Sequence, residues 1–312
     1  MHSGPTPSEP SPAGRLLIVD GHSYAYRAFY AIRSLNSPTG AATNAIYGFI
    51  RMLGKMRARM QPTHLAVVWD GGLAAERMTL LPDYKAQRPE MPSALEEQLD
   101  QMVEFLRAAG VCSYMKESAE ADDCIAAITR QAEAAGVEIV IASADKDFMQ
   151  LVSSSVRLLN PHDKTDILWG AEEVKRKTGV EPTQIVDWLS LTGDAVDNIP
   201  GVPGVGAKTA ASLLTQFRSV EEMYRRLPEV RSEVLRANLK ASMGVVGRNQ
   251  QLVRLHVEES CEMTLDDLAV KPGDDEALGR LYSKWGFKTM LRELEQARTK
   301  AQDFFDQEVG AR

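Results

Sequence analysis

Nine carboxylates recur in a few short motifs of this chain, and their types and spacing point to metal chemistry. Asp20 closes the apolar run Arg15-Leu-Leu-Ile-Val-Asp20, and Asp70 closes His64-Leu-Ala-Val-Val-Trp-Asp70. Glu120, Asp122 and Asp123 crowd into Ala119-Glu-Ala-Asp-Asp123. Asp145 and Asp147 flank a lysine in Ser143-Ala-Asp-Lys-Asp147, and Asp194 and Asp197 stand in Thr192-Gly-Asp-Ala-Val-Asp197. A single Asp at a strand end is commonly a helix cap, and Ser118 or an adjacent acid can cap a helix opening at 119. Capping does not explain three acids side by side, because like charges at that distance repel and a bound cation relieves them. No His or Cys belongs to the set, so the donors are hard oxygens, which suit Mg²⁺ or Mn²⁺ and not Zn²⁺. Nine acids exceed the need of one Mg²⁺, which keeps several waters. Two or more ions are expected, and pairs about 4 Å apart clamp phosphodiester hydrolysis.

Two further segments carry chemistry for phosphate. Gly201-Val-Pro-Gly-Val-Gly-Ala-Lys-Thr209 lacks the register of a nucleotide-binding P-loop. Its glycines between two short helices resemble a helix–hairpin–helix, whose backbone approaches nucleic-acid phosphates. Arg77 and Tyr84-Lys-Ala-Gln-Arg88 form a basic stretch soon after Asp70. Cations there are placed to grip a phosphate under attack.

These residues need elements that bring them together. Apolar runs over 15–20, 64–70, 137–145 and 156–160 predict buried strands, and residues 43–60, 93–109 and 119–135 carry helical patterns. The alternation predicts an α/β fold with a mainly parallel central sheet. Ligands in such sheets bind at the carboxyl edge, where Asp20, Asp70 and Asp145 converge. Asp145 and Asp147 point the same way if the strand is still extended there. Asp194 and Asp197 share a face if helical. From about residue 170 the pattern is helical.

Composition narrows the classes. Of 312 residues, 44% are hydrophobic and 25% charged, enough for a sizeable core and against disorder as the main state. The net charge of −7 disfavours a uniformly basic nucleic-acid binder. Without the nine acids the balance is slightly basic, so an acidic total conceals a metal site on a mildly basic body. Cys112, Cys124 and Cys261 are scattered, which fits a reducing compartment such as the cytoplasm and no zinc ribbon. No run of about 18 apolar residues is present, so no membrane contact is expected. Residues 1–14 read as a Pro- and Ser-rich disordered tail.

In order, the chain presents Val19-Asp-Gly with Tyr26-Arg-Ala-Phe-Tyr30, Asp70 with Arg77 and Tyr84-Lys-Ala-Gln-Arg88, Glu120-Ala-Asp-Asp123, Ala144-Asp-Lys-Asp147, and Thr192-Gly-Asp-Ala-Val-Asp-Asn-Ile-Pro-Gly through Thr209. It thereby resembles the 5′–3′ exonuclease and flap endonuclease family, in particular the nuclease domain of bacterial DNA polymerase I type, over residues 15–294. The resemblance implies a PIN-like core (15–169) with a helical arch at about 72–95. It implies a helix–three-turn–helix DNA-binding region (170–294) and a C-terminal tail (295–312). One metal group is implied at Asp20, Asp70, Glu120, Asp122 and Asp123, and a second at Asp145, Asp147, Asp194 and Asp197. Lys85 and Arg88 match the phosphate-gripping pair. Arg27, Arg77, Tyr84, Gly201, Gly204, Gly206, Lys208 and Thr209 are the expected DNA contacts, with K⁺ at the hairpin carbonyls. The implied substrates are DNA with 5′ flaps or 5′ ends and RNA primers, with a DNA polymerase in the same pathway. Around Arg77 the chain departs from the family, having Glu76 before it and Met78-Thr79 after it where an aromatic and His-Glu are usual. The length leaves no room for a polymerase, so a stand-alone nuclease or an excised domain is expected.

Overall fold

The computed structural model describes residues 14–161, 163, 167–257 and 262–310, with side chains described as far as residue 300. The predicted tail therefore lies, except for Gly14, outside the described residues, as does Cys261. Cys112 and Cys124 are not joined in a disulfide.

Six strands form one sheet: β1 (Arg15–Asp20), β2 (His64–Trp69), β3 (Cys112–Met115), β4 (Glu138–Ala142), β5 (Val156–Leu159) and β6 (Leu168–Trp169). Their order is β3-β2-β1-β4-β5-β6, parallel throughout except for β6. The apolar runs become strands because both faces are covered. Leu16 and Ile18 face one buried cluster, and Leu17 and Val19 face the other, all with 0% exposure. Such double burial is what a continuous apolar run specifies in a parallel sheet.

On one face lie α1 (Gly21–Ala31), α2 (Asn44–Met60) and α4 (Ser93–Ala108), with α3 (Ala75–Leu80) between α2 and α4 in sequence. The other face carries α5 (Ala121–Ala134), followed in the chain by α6 (Ala171–Thr178), α7 (Ile185–Thr192) and α8 (Ala207–Phe217). Beyond these come α9 (Val220–Arg225), α10 (Glu233–Ala241), α11 (Met243–Val253), α12 (Leu265–Leu268), α13 (Asp275–Trp285) and α14 (Lys288–Gly310). Within the expected C-terminal tail, residues 295–310 are helical and continue α14, as Arg292–Gln307 contains no Gly or Pro and is rich in helix formers. The arch segment 72–95 is helical only in α3, followed by turns over 82–87 and then the start of α4.

The chain passes outward from β1 to β2 and β3, then returns to pair β4 on the opposite side of β1. That reversal is a topological switch point, and a crevice opens there at the carboxyl ends of the strands.

Candidate active site

Asp20 is the last residue of β1 and also the N-cap of α1. Its Oδ1 accepts from Ser23 N at 3.0 Å, and Ser143 Oγ, just past β4, donates to Oδ2 at 2.7 Å. One side chain thus ties the two strands that flank the switch point. Its burial pushes the carboxyl up to about 7, although both hydrogen bonds oppose this.

Asp70 follows β2. Its Oδ1 accepts from Ala121 N, the first residue of α5, at 2.9 Å. The cap of α5 therefore comes from a neighbouring strand, whereas Glu120 occupies the N-cap position without a side-chain cap bond. Glu120 is instead buried among cations and donors. It accepts from Lys85 Nζ in a very close contact, from Tyr84 Oη at 3.2 Å and from Ala74 N at 3.3 Å, and Arg77 lies 3.3 Å away. Burial alone would raise Glu120, but Lys85 and Arg77 bring it below the ordinary carboxylate range.

Asp123 faces away from the crevice. Arg77 binds both of its oxygens, at 2.6 and 2.8 Å, and His256 N donates to it at 2.9 Å. Arg77 is only 2% exposed and also donates to the carbonyls of Leu252 and Arg254. The structure thereby corrects three expectations. Asp123 is a structural partner of Arg77, not a crevice ligand. Arg77 and Tyr84, expected to meet DNA, are buried within the fold.

Two geometric expectations are also corrected. Strand β4 ends at Ala142, because Ser143 Oγ turns to Asp20 and accepts from Asp145 N at 3.0 Å. Asp145 lies in the following turn, and Asp147 opens a short 3-10 turn, with Asp147 N donating to Asp145 Oδ1 at 2.8 Å. Asp194 and Asp197 share no helix. α7 stops at Thr192, and the chain forms a small antiparallel hairpin, Gly193–Asp194 against Ile199–Pro200. The hairpin is tight because Gly201 packs on Thr192: a Cβ there would sit 2.2 Å from the Thr192 carbonyl oxygen.

The crevice has a volume of about 370 Å³ and is lined by Asp20, Asp70, Asp122, Asp145, Asp194 and Asp197 among others. Six of the nine predicted acids therefore meet in one place, drawn from five separate segments. Lys146 Nζ lies 3.1 Å from Asp194, and Arg88 Nη2 donates to Asp197 at 2.9 Å. Burial is the main cause that raises Asp122, Asp145 and Asp147, reinforced by neighbouring carboxylates: Asp145 acts on Asp122 and Asp147, and Asp194 and Asp197 act on Asp145 and Asp147. Asp147 Oδ1 is buried with no hydrogen-bond partner. A buried orphan oxygen, raised carboxyls and an all-oxygen donor set fit a divalent cation. Among the described residues no three His, Cys, Asp or Glu side chains stand close enough together to hold a metal ion as they are placed, so the acids line the crevice without forming a ligand shell.

Several residues of the site were missed in the sequence. His22 lines the crevice, and its Nδ1 accepts from Asp70 N at 3.1 Å. Burial holds it below the ordinary histidine range, so it is a neutral wall. Lys146 and Ser143 lie inside the motifs that delivered the acids, yet their roles depend on partners far away in sequence. Lys85 is 6% exposed and adopts φ +56°, a left-handed conformation that costs roughly 1–2 kcal/mol outside glycine. The turn that carries Lys85 and Arg88 is thus held by its surroundings.

The hairpin leads to α8, where Gly206 is the N-cap and Lys208 and Thr209 lie in the first turn, Lys208 exposed. Gly204 has φ +78°. A Cβ on Gly206 would meet nothing within 4 Å, so the fold itself does not require glycine there. Arg27 lies half-buried on α1. No helix among the described residues is long and apolar enough to cross a membrane.

Comparison with known proteins follows this layout. Residues 15–179 match the model of a 5′-3′ exonuclease N-terminal resolvase-like domain, and residues 180–276 match that of a 5′-3′ exonuclease C-terminal SAM fold. A 5′-3′ exonuclease of Aquifex aeolicus is 37% identical over 90% of this chain and 95% of its own length. DNA polymerase I of Bacillus caldotenax is 38% identical over 90% of this chain, which spans only 32% of that enzyme. Among solved structures, the bacteriophage T5 flap endonuclease, in a complex with DNA and metal ions, superposes with a TM-score of 0.66 at 22% identity, covering 90% of this chain and 99% of its own. The catalytic core of Rad2 in complex with DNA superposes at 0.59 and 14% identity, covering 87% of each chain.

Proposed function

Because the chain belongs to the 5′-3′ exonuclease family, we propose that it hydrolyses phosphodiester bonds at 5′ ends and 5′ flaps of branched or 5′-ended duplex DNA, and in the RNA of primers. The observation that carries this reading is the convergence of six carboxylates at the switch point, beside a hairpin that joins two helices. Asp20, Asp70, Asp122, Asp145, Asp194 and Asp197 would hold two or more Mg²⁺ or Mn²⁺ ions. Asp147 and Glu120 stand immediately behind them. Bound there, such ions supply Lewis-acid stabilisation of phosphoryl oxygens and a water of lowered pKa.

The chain's own residues do the rest. Arg88, on the crevice wall, is placed to orient the scissile phosphate. Lys85 lies one ion pair away, on Glu120, behind the crevice wall, and would offset charge on the phosphate through space. Gly201, Gly204 and Gly206, in the turn between the β-hairpin and α8, would let the backbone approach duplex phosphates, carbonyls of that turn would hold K⁺, and Lys208 adds charge there. Arg27 faces the entering strand from α1. Contacts of this kind ignore base identity, so binding is sequence-independent and falls with salt. The proposed setting is cytoplasmic DNA replication and repair alongside a DNA polymerase, in the same chain or a separate one. The test is cleavage of a labelled 5′-flap duplex in Mg²⁺, with and without chelator. We expect a 5′-phosphorylated product that chelator abolishes, and cleavage of single-stranded RNA in preference to the flap would reject the assignment.

A further inference from the structure

We propose that Asn198 is a positioning residue that locks the turn carrying Lys85 and Arg88 to the hairpin carrying Asp194 and Asp197. The inference rests on the nuclease reading above and names a residue to which that reading gives no role. Three bonds join the two elements. Asn198 Nδ2 donates to the Asp83 carbonyl at 2.8 Å, Lys85 N donates to the Asp197 carbonyl at 3.0 Å, and Arg88 Nη2 meets the Asp197 carboxylate at 2.9 Å. On one side of this contact a crevice of about 530 Å³ separates Leu81, Asp83 and Gln87 from Thr192, Asn198 and Pro200. Hydrogen bonds rather than continuous packing therefore set the spacing on that side.

Both partners in the lock adopt unusual backbone. Asn198 has φ +57° and Lys85 has φ +56°. Asparagine tolerates the left-handed region better than most residues, and its amide is a neutral donor that can reach a carbonyl across a gap. Lysine tolerates it poorly, so its conformation persists only where neighbours impose it. The hairpin is itself fixed from behind. Asn249, with 0% exposure, donates to the carbonyls of Ser190 and Pro200 at 3.1 and 2.7 Å. A rigid line thus runs from α11 through the hairpin to Asn198 and the cation turn. Placement of Lys85 and placement of Asp194 and Asp197 are therefore tied together.

Asn198→Gly keeps the left-handed backbone and removes the amide. Asn198→Asp keeps the shape and sets an acceptor against the Asp83 carbonyl. We expect either variant to slow single-turnover flap cleavage about 30-fold, with flap affinity changed less than about threefold. In a Lys85→Ala background the same change should cost clearly less than in the wild type, because of the two cations on the turn only Arg88 is left to position. Without DNA, amide exchange over residues 81–88 should quicken at least about tenfold in Asn198→Gly, while β1 and β4 are unchanged. Full, multiplicative losses in the double variant, or unchanged exchange over 81–88, would overturn the proposal. Wild-type protein that cleaves no flap in Mg²⁺ would instead defeat the nuclease reading, and the exchange measurement would still decide the lock.

Discussion

Three carboxylates lie within four residues of each other at the start of α5, and they are treated in two opposite ways. Glu120 and Asp123 each have a buried cation, Lys85 or Arg77, and are held by several donors. Asp122, between them in sequence, faces the crevice with Asp20 and Asp145 and is raised well above the carboxylate range, mainly by burial. The fold neutralises one set internally and leaves the other short of positive charge. An acid that already has its partner contributes to the fold, and an acid that lacks one is set for an ion from outside.

The largest effect that could break this contrast concerns catalysis. Asp122→Asn or Asp145→Asn should lower single-turnover cleavage by at least about 10⁴-fold, roughly 5.5 kcal/mol, while flap binding persists and the metal-free fold is not weakened. Near wild-type turnover in either variant would reject the crevice as the reaction site.

Next in size is the internally paired set. Removing one member of a buried pair leaves the other uncompensated, at about 3–5 kcal/mol. Arg77→Met should therefore lower unfolding stability by that amount, read from denaturant midpoints with unchanged m-value. A loss under about 1 kcal/mol would mean that the pair behaves like a surface one.

A third prediction follows from the sign of the raised carboxyls. Folded, metal-free protein holds protons on Asp20, Asp122, Asp145 and Asp147 that the unfolded chain releases near pH 4. The contribution of each is full below that pH and is lost as pH rises through its own raised folded value, about 7 for Asp20. Metal-free melting temperature should fall between pH 5 and pH 8, and added Mg²⁺ should raise it more at pH 8 than at pH 6. A metal shift that is larger at pH 6 would contradict the contrast.

The smallest effect lies outside both sets. Gly206→Ala, with φ −97° and open space at its Cβ, should change stability by less than about 0.5 kcal/mol. Duplex affinity should weaken a few-fold, measured at fixed salt. Unchanged affinity would leave the hairpin as a structural turn only.

The sequence made the sheet legible where strands are buried on both faces, as in Leu16–Val19 and Leu65–Val68. It hid β3, an edge strand in which only Tyr114 is buried, and β6, which is two residues long. Helix α1 was not read as an element, because its apolar residues follow β1 without a break and Asp20 serves as both strand end and cap. The acids were found by their clustering. What clustering could not reveal was which acids already had partners. Arg77 lies 46 residues from Asp123, and Lys85 lies 35 from Glu120, so local spacing carries no trace of either pair. The same distance hid the Ser143–Asp20 bond that ends β4 early and places Asp145 in a turn.

That Ser143–Asp20 bond also spans 123 residues of chain and joins the two strands at the centre of the sheet. During synthesis at about 5–20 residues per second, β1 leaves the ribosome roughly 6–25 s before β4 exists to cover its second edge. For that interval the nascent chain carries an apolar strand with one bare row of backbone donors and acceptors, the arrangement most prone to joining a neighbouring chain. The order of strands that makes the crevice therefore also makes the residues before β4 dependent on β4 for their solubility, and a chain stopped before β4 should emerge as aggregate.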